Sequence, residues 1–298
     1  MKILLFGKNG QVGWELQRAL APLGELVALD RHSGEGLCGD LTNLSGIAET
    51  IAQVKPDIIV NAAAHTAVDK AESEPELAKT INALASEVMA HQALACGAWL
   101  IHYSTDYVFD GSGDKPWQET DATGPLGVYG ATKFEGEQRI AQSGCKHIIL
   151  RTSWVYAAKG NNFAKTMLRL AQERDSLNVI NDQMGAPTGA ELIADVTAHI
   201  IRSAQQNPEV SGVYHLVAAG ETTWFGFAKL VLETAVKAGK VLKVQPEDVQ
   251  PIPTSAYPTP AKRPHNSRLN TSKLESTFNL TLPSWQTGVV RMLAEHFG

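Results

Sequence analysis

The chain opens with an apolar run and a glycine-rich turn, K-I-L-L-F-G-K-N-G-Q-V-G at residues 2–13. Residues 2–6 are continuously apolar after the first lysine, as in a strand buried on both faces of a sheet. Apolar residues then recur with helical spacing over residues 12–23. The glycines therefore fall on the turn from a strand into a helix. Glycine at such a turn allows backbone N–H groups and the helix N-terminus to approach an anionic group closely.

The same alternation continues through the first half of the chain. Further strands are predicted at residues 25–29, 57–61, 99–103 and 147–151. Helical spacing is found at residues 47–54, 75–96 and 129–142. Apolar strands separated by helices are typical of a parallel sheet covered on both faces. We therefore predict an α/β fold, a Rossmann-type doubly wound sheet with right-handed crossovers.

The pattern changes beyond about residue 156. Helices are predicted at 162–173 and 189–203, and residues 213–217 have the character of a strand that rejoins the sheet. Residues 246–264 contain six prolines, which predicts an extended, loop-rich stretch. We expect residues 1–155 to form the dinucleotide-binding domain. Residues 156–298 would form mainly a smaller, interleaved substrate-binding lobe, with segments near 189–217 returning to the first domain.

Composition restricts the class of partner. The 298 residues include 26 basic and 31 acidic side chains, a formal net charge of -5, so the basic surplus of a nucleic-acid binder is absent. Cys38, Cys96 and Cys145 form no C-x-x-C pair, which argues against disulfides and a thiolate zinc site and fits a reducing cytosol. No apolar run reaches the roughly 18 residues of a membrane span. We expect a cytoplasmic protein that acts on a small molecule, with no nucleic-acid or membrane partner.

Acidic and small residues follow the other predicted strands at the spacing that a dinucleotide site requires. Asp30 ends the second strand and is placed to hold the adenosine ribose hydroxyls, whereas Arg31 is placed to pair with a 2′-phosphate, so NADH and NADPH both remain open. A solvated strand-end Asp-Arg pair is the alternative. The predicted cofactor contacts are Gly7, Gly10, Gln11, Val12, Gly13, Asp30, Arg31, Asp40, Leu41, Ala62, Ala63, Ala64, Tyr129 and Lys133.

Two further segments carry candidate catalytic groups. Tyr129 and Lys133 lie four residues apart on a predicted helix, so both project from one face. A ketone that receives hydride must also receive a proton, and a neighbouring ammonium group favours the phenolate that remains on the tyrosine. Thr105 follows the strand at 99–103, at the sheet edge where open α/β sheets bind ligands, and is placed to hold the substrate oxygen beside Tyr129.

These segments together resemble a known family. The motifs lie at residues 7–13, 61–70 (N-A-A-A-H-T-A-V-D-K), 104–111 (S-T-D-Y-V-F-D-G), 129–133, 151–156 (R-T-S-W-V-Y), 181–189 and 262–267. They make the chain similar to the extended short-chain dehydrogenase/reductases, and within them to the dTDP-4-dehydrorhamnose reductase family. The resemblance implies reduction of a nucleotide-sugar C4 ketone by NAD(P)H, with Thr105, Tyr129 and Lys133 as the catalytic triad and Tyr129 as proton donor. The superfamily more often has serine where this chain has Thr105, and a hydroxyl is retained.

The resemblance also implies substrate contacts. Val68, Thr105, Asp106 and Trp154 would contact the sugar or its diphosphate, with Trp154 as an apolar plate against a deoxysugar face. Arg263 in the proline-rich stretch would supply a cation for the diphosphate.

A magnesium site is a separate expectation from the resemblance. Glu15, Glu191 and Asp195 would hold Mg²⁺ across a two-fold interface, a structural ion that supports a homodimer. Solvated or lysine-paired carboxylates are the alternative. The histidines His65 and His102 are interpreted as structural residues.

Two rival functions remain open on the sequence. Epimerases and dehydratases share the glycine turn and the Y-x-x-x-K pattern, but a dehydratase commonly has an Asp-Glu pair after the Ser/Thr, and here Tyr107 follows Asp106. A non-catalytic regulatory relative is the other rival, because a fold does not by itself determine a function. Retention of the triad and of the full glycine turn favours an active reductase.

Overall fold

A computed structural model describes residues 1–32, 34 and 36–298. The apolar runs of the sequence form a six-stranded sheet in the order β10-β5-β4-β3-β1-β2, in which all neighbours are parallel. Its strands are β1 (Lys2–Phe6), β2 (Glu25–Leu29), β3 (Ile58–Asn61), β4 (Trp99–Thr105), β5 (Lys146–Thr152) and β10 (Gly212–His215). This arrangement confirms the predicted α/β class. The chain reverses direction across the sheet between β1 and β3, and the crevice at such a reversal is where open sheets bind ligands.

Alternate residues of β1 supply the cores on the two faces of the sheet. Ile3 and Leu5 pack with residues of α1 (Gln11–Leu20) and α8 (Ala190–Gln206). Leu4 and Phe6 pack with residues of α2 (Leu44–Val54), α5 (Ala85–Cys96) and α6 (Val128–Gln142). Helices cover both faces, so the strands are apolar throughout rather than alternating.

The helix predicted at 75–96 is interrupted. It consists of α4 (Pro75–Lys79), one π-helical turn at Thr80–Leu84, and α5. A π turn widens the helix locally and is found most often near functional sites. Asn82 in this turn is buried, and its side-chain amide donates to the His65 carbonyl and to the Thr132 hydroxyl. The turn thus ties the segment after β3 to the helix that carries Tyr129 and Lys133.

A second core lies in the C-terminal half of the chain. It is built from α7 (Phe163–Glu173), α9 (Trp224–Lys237) and α11 (Trp285–Phe297). The remaining elements are α3 (Val68–Ala71), α10 (Ser272–Phe278), β6 (Val155–Tyr156), β7 (Asn178–Ile180), β8 (Met184–Gly185), β9 (Thr188–Gly189), β11 (Thr222–Thr223) and β12 (Gln250–Ile252). Within the proline-rich stretch, β12 is the only segment that pairs with another strand, and its partner is β7. Among the described residues, no helix combines the length and the apolarity that crossing a membrane requires.

Candidate active site

A cavity of about 850 Å³ lies at the carboxyl edge of the sheet. It is lined by residues from the glycine turn, from the segments after β2 and β3, from the ends of β4 and β5, and from α6. The predicted site residues that line it are Gly7, Gly10, Gln11, Val12, Asp30, Arg31, Asp40, Leu41, Ala62, Ala63, Ala64, Val68, Thr105, Asp106, Tyr129, Lys133, Trp154 and Arg263. One cavity therefore brings together the residues predicted for cofactor, catalysis and substrate, apart from Gly13.

The glycines of the first turn differ in what they do. Gly7 has a φ of +89°, and a Cβ there would lie 2.8 Å from the Ala62 carbonyl carbon. A Cβ at Gly13 would collide with the Gly7 carbonyl oxygen, so Gly13 is required for packing of α1 on the turn and does not line the cavity. Gly10 lines the cavity and has room for a Cβ on the protein side, with the nearest atom 3.4 Å away.

The N-terminus of α1 suits an anion. Gly10 is the N-cap of the helix, no side chain caps it, and its first turn has no acidic residue. The first N–H groups of a helix have no partner within the helix and carry partial positive charge. These groups lie where the cavity passes the glycine turn, so the residues present fit a dinucleotide pyrophosphate.

Charged residues surround the part of the cavity that lies at the end of β2. Asp30 accepts hydrogen bonds from Asn9 Nδ2 at 2.7 Å and from the His32 backbone N–H at 2.8 Å, and the latter bond holds the pKa of Asp30 below its usual value. The Lys8 ammonium lies 3.6 Å from the same carboxylate. Arg31 pairs with Asp40 at 3.5 Å. The ionised Asp30 is an acceptor for ribose hydroxyls, and the two cations Lys8 and Arg31 would favour a phosphate there.

Thr105 and Tyr129 lie next to each other although 24 positions separate them in the sequence. Thr105 is the last residue of β4, and Tyr129 is in the first turn of α6, which begins where Glu72 accepts a hydrogen bond from the Val128 N–H at 2.8 Å. Both side chains line the cavity, and the Thr105 hydroxyl acts to lower the pKa of the Tyr129 phenol against the larger effect of burial. Burial raises the pKa of Tyr129 above its ordinary value of 10, so the phenol is protonated in this state.

Lys133 lies one helical turn behind Tyr129 and is 2% exposed. Its Nζ donates to the Tyr103 carbonyl at 2.6 Å and lies 3.2 Å from His102 Nε2. Burial lowers the pKa of Lys133 to about 8, against an opposing effect of the Glu137 carboxylate. His102, interpreted from the sequence as structural, thus contacts the predicted catalytic lysine directly. Burial, with a further contribution from Lys133, holds the pKa of His102 well below its usual value.

The proposed sugar side of the cavity is walled by two stacked indoles. Trp154 has a left-handed backbone, with a φ of +50°, and its ring centroid lies 3.7 Å from that of Trp224. A Cβ at Gly185 would lie 2.7 Å from the Trp154 ring, so this glycine makes room for the stack. A left-handed backbone costs a bulky residue energy and is found preferentially at functional sites. Trp224 was not predicted from the sequence, because no local motif marks it.

Arg263 lies where this cavity meets a second one. Its guanidinium donates to Asp69 at 2.7 Å and to the Tyr107 hydroxyl at 3.3 Å. The second cavity, of about 680 Å³, shares Tyr107, Trp224 and Arg263 with the first. Its other lining residues include Phe163, Met167, Leu170, Arg174, Asn178, Gln183, Thr254 and Tyr257. None of these was predicted from the sequence.

The residues predicted to bind magnesium lie away from both cavities. Arg18 pairs with Asp195 at 2.9 Å and with Glu15 at 3.4 Å, and Arg291 lies 3.6 Å from Glu191. Within the described residues, no group of three or more His, Cys, Asp or Glu side chains has the arrangement of a metal site. In the single chain these carboxylates do not fit a metal and are paired with arginines instead.

Comparison with known proteins identifies the family of this chain. The family model described as RmlD substrate binding domain matches residues 1–297. A dTDP-4-dehydrorhamnose reductase of Escherichia coli (strain K12) is 65% identical, over 100% of this chain and 98% of that protein. Among solved structures, a dTDP-4-dehydrorhamnose reductase of Clostridium acetobutylicum has a TM-score of 0.89 and 34% identity, covering 100% of each chain. One from Bacillus anthracis, solved in complex with NADP, has a TM-score of 0.86 and 34% identity, covering 99% of each chain. The chain therefore belongs to the dTDP-4-dehydrorhamnose reductase family, oxidoreductases of the extended short-chain dehydrogenase/reductase superfamily.

Proposed function

We propose that this protein reduces the C4 ketone of dTDP-4-dehydro-L-rhamnose to dTDP-L-rhamnose, with NADPH or NADH as reductant and Tyr129 as proton donor. The observation that carries the proposal is a single cavity in which the uncapped N-terminus of α1 and the Thr105–Tyr129 hydroxyl pair face one space. The names and bound NADP of the relatives agree with it.

The chain's own residues would hold the dinucleotide along this cavity. The backbone N–H groups at the start of α1 would bind the pyrophosphate, and Asp30 and Arg31 would meet the adenosine ribose. When bound, the reduced nicotinamide supplies the hydride, and the protein's part is to orient it and to supply the proton. The small side chains of Ala62, Ala63 and Ala64 leave room for the cofactor against the backbone.

The proton would come from the Tyr129 hydroxyl. When the ketone carbon gains hydride, the C=O π bond breaks and the oxygen becomes an alkoxide, which a phenol within hydrogen-bond reach protonates. The phenolate that remains needs a positive neighbour, and Lys133, one turn along the helix, supplies it when protonated. Burial of Lys133 brings its pKa to about 8, so the ammonium form is the major one at pH 7.

The two joined cavities suit the two ends of a nucleotide sugar. The sugar would lie in the first cavity, beside Tyr129 and against the Trp154–Trp224 stack, and the nucleotide would lie in the second. Arg263 is at the junction, where the diphosphate between them would pass, and a guanidinium binds phosphate oxygens with paired hydrogen bonds. Val68 and Asp106 line the first cavity and are the other proposed sugar contacts.

A substrate panel tests the proposal. The purified protein is mixed with enzymatically generated dTDP-4-dehydrorhamnose, or with UDP-linked 4-keto sugars, and with each reduced dinucleotide. We expect reduced-nicotinamide absorbance to fall with the dTDP substrate, one dinucleotide being consumed per ketone. Cofactor binding without oxidation would instead support a regulatory relative, and tightly retained cofactor with no net oxidation would support an epimerase.

Magnesium binding at a two-fold interface, a homodimer and a cytosolic location stay predictions from the sequence. Glu15 on α1 and Glu191 and Asp195 on α8 pair with Arg18 and Arg291 in the single chain, and among the described residues they do not form a metal site. Sedimentation of the protein with Mg²⁺ and with a chelator tests both ideas. A dimer that dissociates on chelation supports the interface ion, and an unchanged dimer or a monomer argues against it.

A further inference from the structure

The Thr105 hydroxyl makes two hydrogen bonds and has a single hydrogen to give. It donates to Asp106 Oδ1 at 3.0 Å and accepts from the Tyr107 backbone N–H at 3.2 Å. A hydroxyl has one donor hydrogen and two acceptor lone pairs. Because an ionised carboxylate only accepts, the Thr105 hydrogen is committed to Asp106.

The hydrogen bond to Asp106 limits what Thr105 can offer to a substrate. While Thr105 gives its hydrogen to Asp106, it has none to give to a ketone oxygen. A protonated Asp106 reverses the bond, because its O–H can donate to Thr105 Oγ1. The Thr105 hydrogen is then free to turn into the cavity that Thr105 and Tyr129 line.

We propose that Asp106 is a positioning residue whose protonation turns the Thr105 hydroxyl hydrogen away from the carboxyl group and toward the ketone oxygen. The inference rests on the proposed function, since it needs a ketone beside Tyr129. Asp106 acts through Thr105 here, in addition to any contact it makes with the sugar. With its carboxyl neutral, the ketone oxygen receives two hydrogen bonds, from Thr105 and from Tyr129.

The surroundings of Asp106 favour its neutral form. The residue is 2% exposed, and Oδ2 has no hydrogen-bond partner in the described part of the chain. Burial raises the pKa of Asp106 to about 6, against the opposing effect of the neighbouring Ser267 and Thr105 hydroxyls. A substrate and cofactor that displace water from the cavity would desolvate the carboxyl group further, which moves its titration toward neutral pH.

The titratable and charged groups that face Asp106 do not offset the negative charge of its ionised form. They are Tyr107 on its own turn, Tyr129 on α6, and, across the Tyr107 ring, Arg263 paired with Asp69. The charge of an ionised Asp106 raises the pKa of both tyrosines. A neutral Asp106 therefore also makes Tyr129 a better acid.

Carbon-13 NMR of protein labelled at the aspartate carboxyl carbons tests the hydrogen bond without any substrate. The Asp106 signal is the one lost in Asp106→Asn, and we expect its midpoint near pH 6. Thr105→Val removes the donor to Asp106, so the midpoint should rise, whereas Thr105→Ser keeps a hydroxyl and should leave it in place. An unchanged or lower midpoint in Thr105→Val would show that the Thr105 hydrogen is not on Asp106 and would overturn the proposal.

Single-turnover hydride transfer between pH 5 and 8 tests the consequence. In the wild type we expect the rate to rise about tenfold as pH falls through the Asp106 titration, as a second donor reaches the ketone oxygen. Asp106→Asn and Thr105→Val should lose this dependence. The matched control is Asp110→Asn, an exposed carboxylate in the same segment, which should keep it. A wild-type hydride-transfer rate that does not depend on pH, or a pH dependence that persists in Asp106→Asn, contradicts the proposal. If the NMR result is as expected but there is no turnover at all, the proposed function is contradicted instead.

Discussion

At the scale of single residues, the site depends on where protons and charges are held. Tyr129 is the only proposed group that gives a proton to the substrate. Tyr129→Phe removes the hydroxyl and leaves the ring in place, so we expect cofactor binding to stay within about twofold of the wild type while turnover falls by a factor of about 10² to 10⁴. Fluorescence titration with the dinucleotide measures the first quantity and steady-state kinetics the second. Turnover near the wild-type rate would remove Tyr129 from the acid role.

We expect the titration of Lys133 to determine the pH dependence of turnover on the alkaline side. Burial lowers the pKa of this lysine to about 8, and its ammonium form is the one that stabilises a phenolate. Loss of the proton as pH rises through that value removes the charge, so kcat should fall on the alkaline side with a midpoint near pH 8. A profile of kcat from pH 7 to 10 measures this, with cofactor binding at each pH as the control. An alkaline limb that begins only near pH 10 would mean that Lys133 is not the titrating group.

Cofactor preference is decided at Asp30. This carboxylate accepts hydrogen bonds within the protein and is placed to accept from ribose hydroxyls, which NADPH lacks at one position. We expect Asp30→Ala to raise the KM for NADH about tenfold and to change the KM for NADPH much less. The control is Glu49→Ala, an exposed carboxylate on α2 that does not line the cavity. Equal losses for both dinucleotides would argue against a ribose contact at Asp30.

At the scale of elements, the first strand, turn and helix form a unit in which two glycines have separable roles. A Cβ at Gly13 collides with the Gly7 carbonyl, so Gly13→Ala should lower the free energy of unfolding by about 1–3 kcal/mol. A Cβ at Gly10 fits the protein but occupies the cavity, so Gly10→Ala should keep its Tm and bind dinucleotide at least about tenfold more weakly.

Thermal unfolding and dinucleotide titration of both glycine variants check this separation. We expect opposite patterns: Gly13→Ala should lose stability, and Gly10→Ala should lose dinucleotide binding. If Gly10→Ala binds the dinucleotide as the wild type does, the pyrophosphate does not lie over this turn.

At the scale of the whole molecule, most features set by local sequence patterns were predictable, whereas features set by long-range packing were not. The sheet was predictable because β1 to β5 are continuous apolar runs whose period and punctuation are local properties. The glycine turn and the Tyr129–Lys133 spacing are local as well. The π turn at Thr80–Leu84 was not predicted, since it is a single turn inside a longer helix and no residue type in it marks it.

The second cavity could not be predicted for a different reason. Its walls come mainly from α7, the β7–β8 region, the start of α9 and the proline-rich stretch, through unremarkable residues such as Met167 and Thr254. Only the fold brings them together. The contact of His102 with Lys133 is similar, because it joins a buried strand to a helix 31 positions away in the sequence. Residues of this kind carry no motif, and their role follows from packing alone.

The most direct test of the central claim is a crystal structure of the protein with NADP and the proposed product, dTDP-L-rhamnose. We predict that the sugar O4 lies within hydrogen-bond distance of the Tyr129 hydroxyl, with the nicotinamide ring against C4 and the pyrophosphate at the N-terminus of α1. A nicotinamide ring far from Tyr129, or a pyrophosphate bound away from Gly7 and Gly10, would contradict the account.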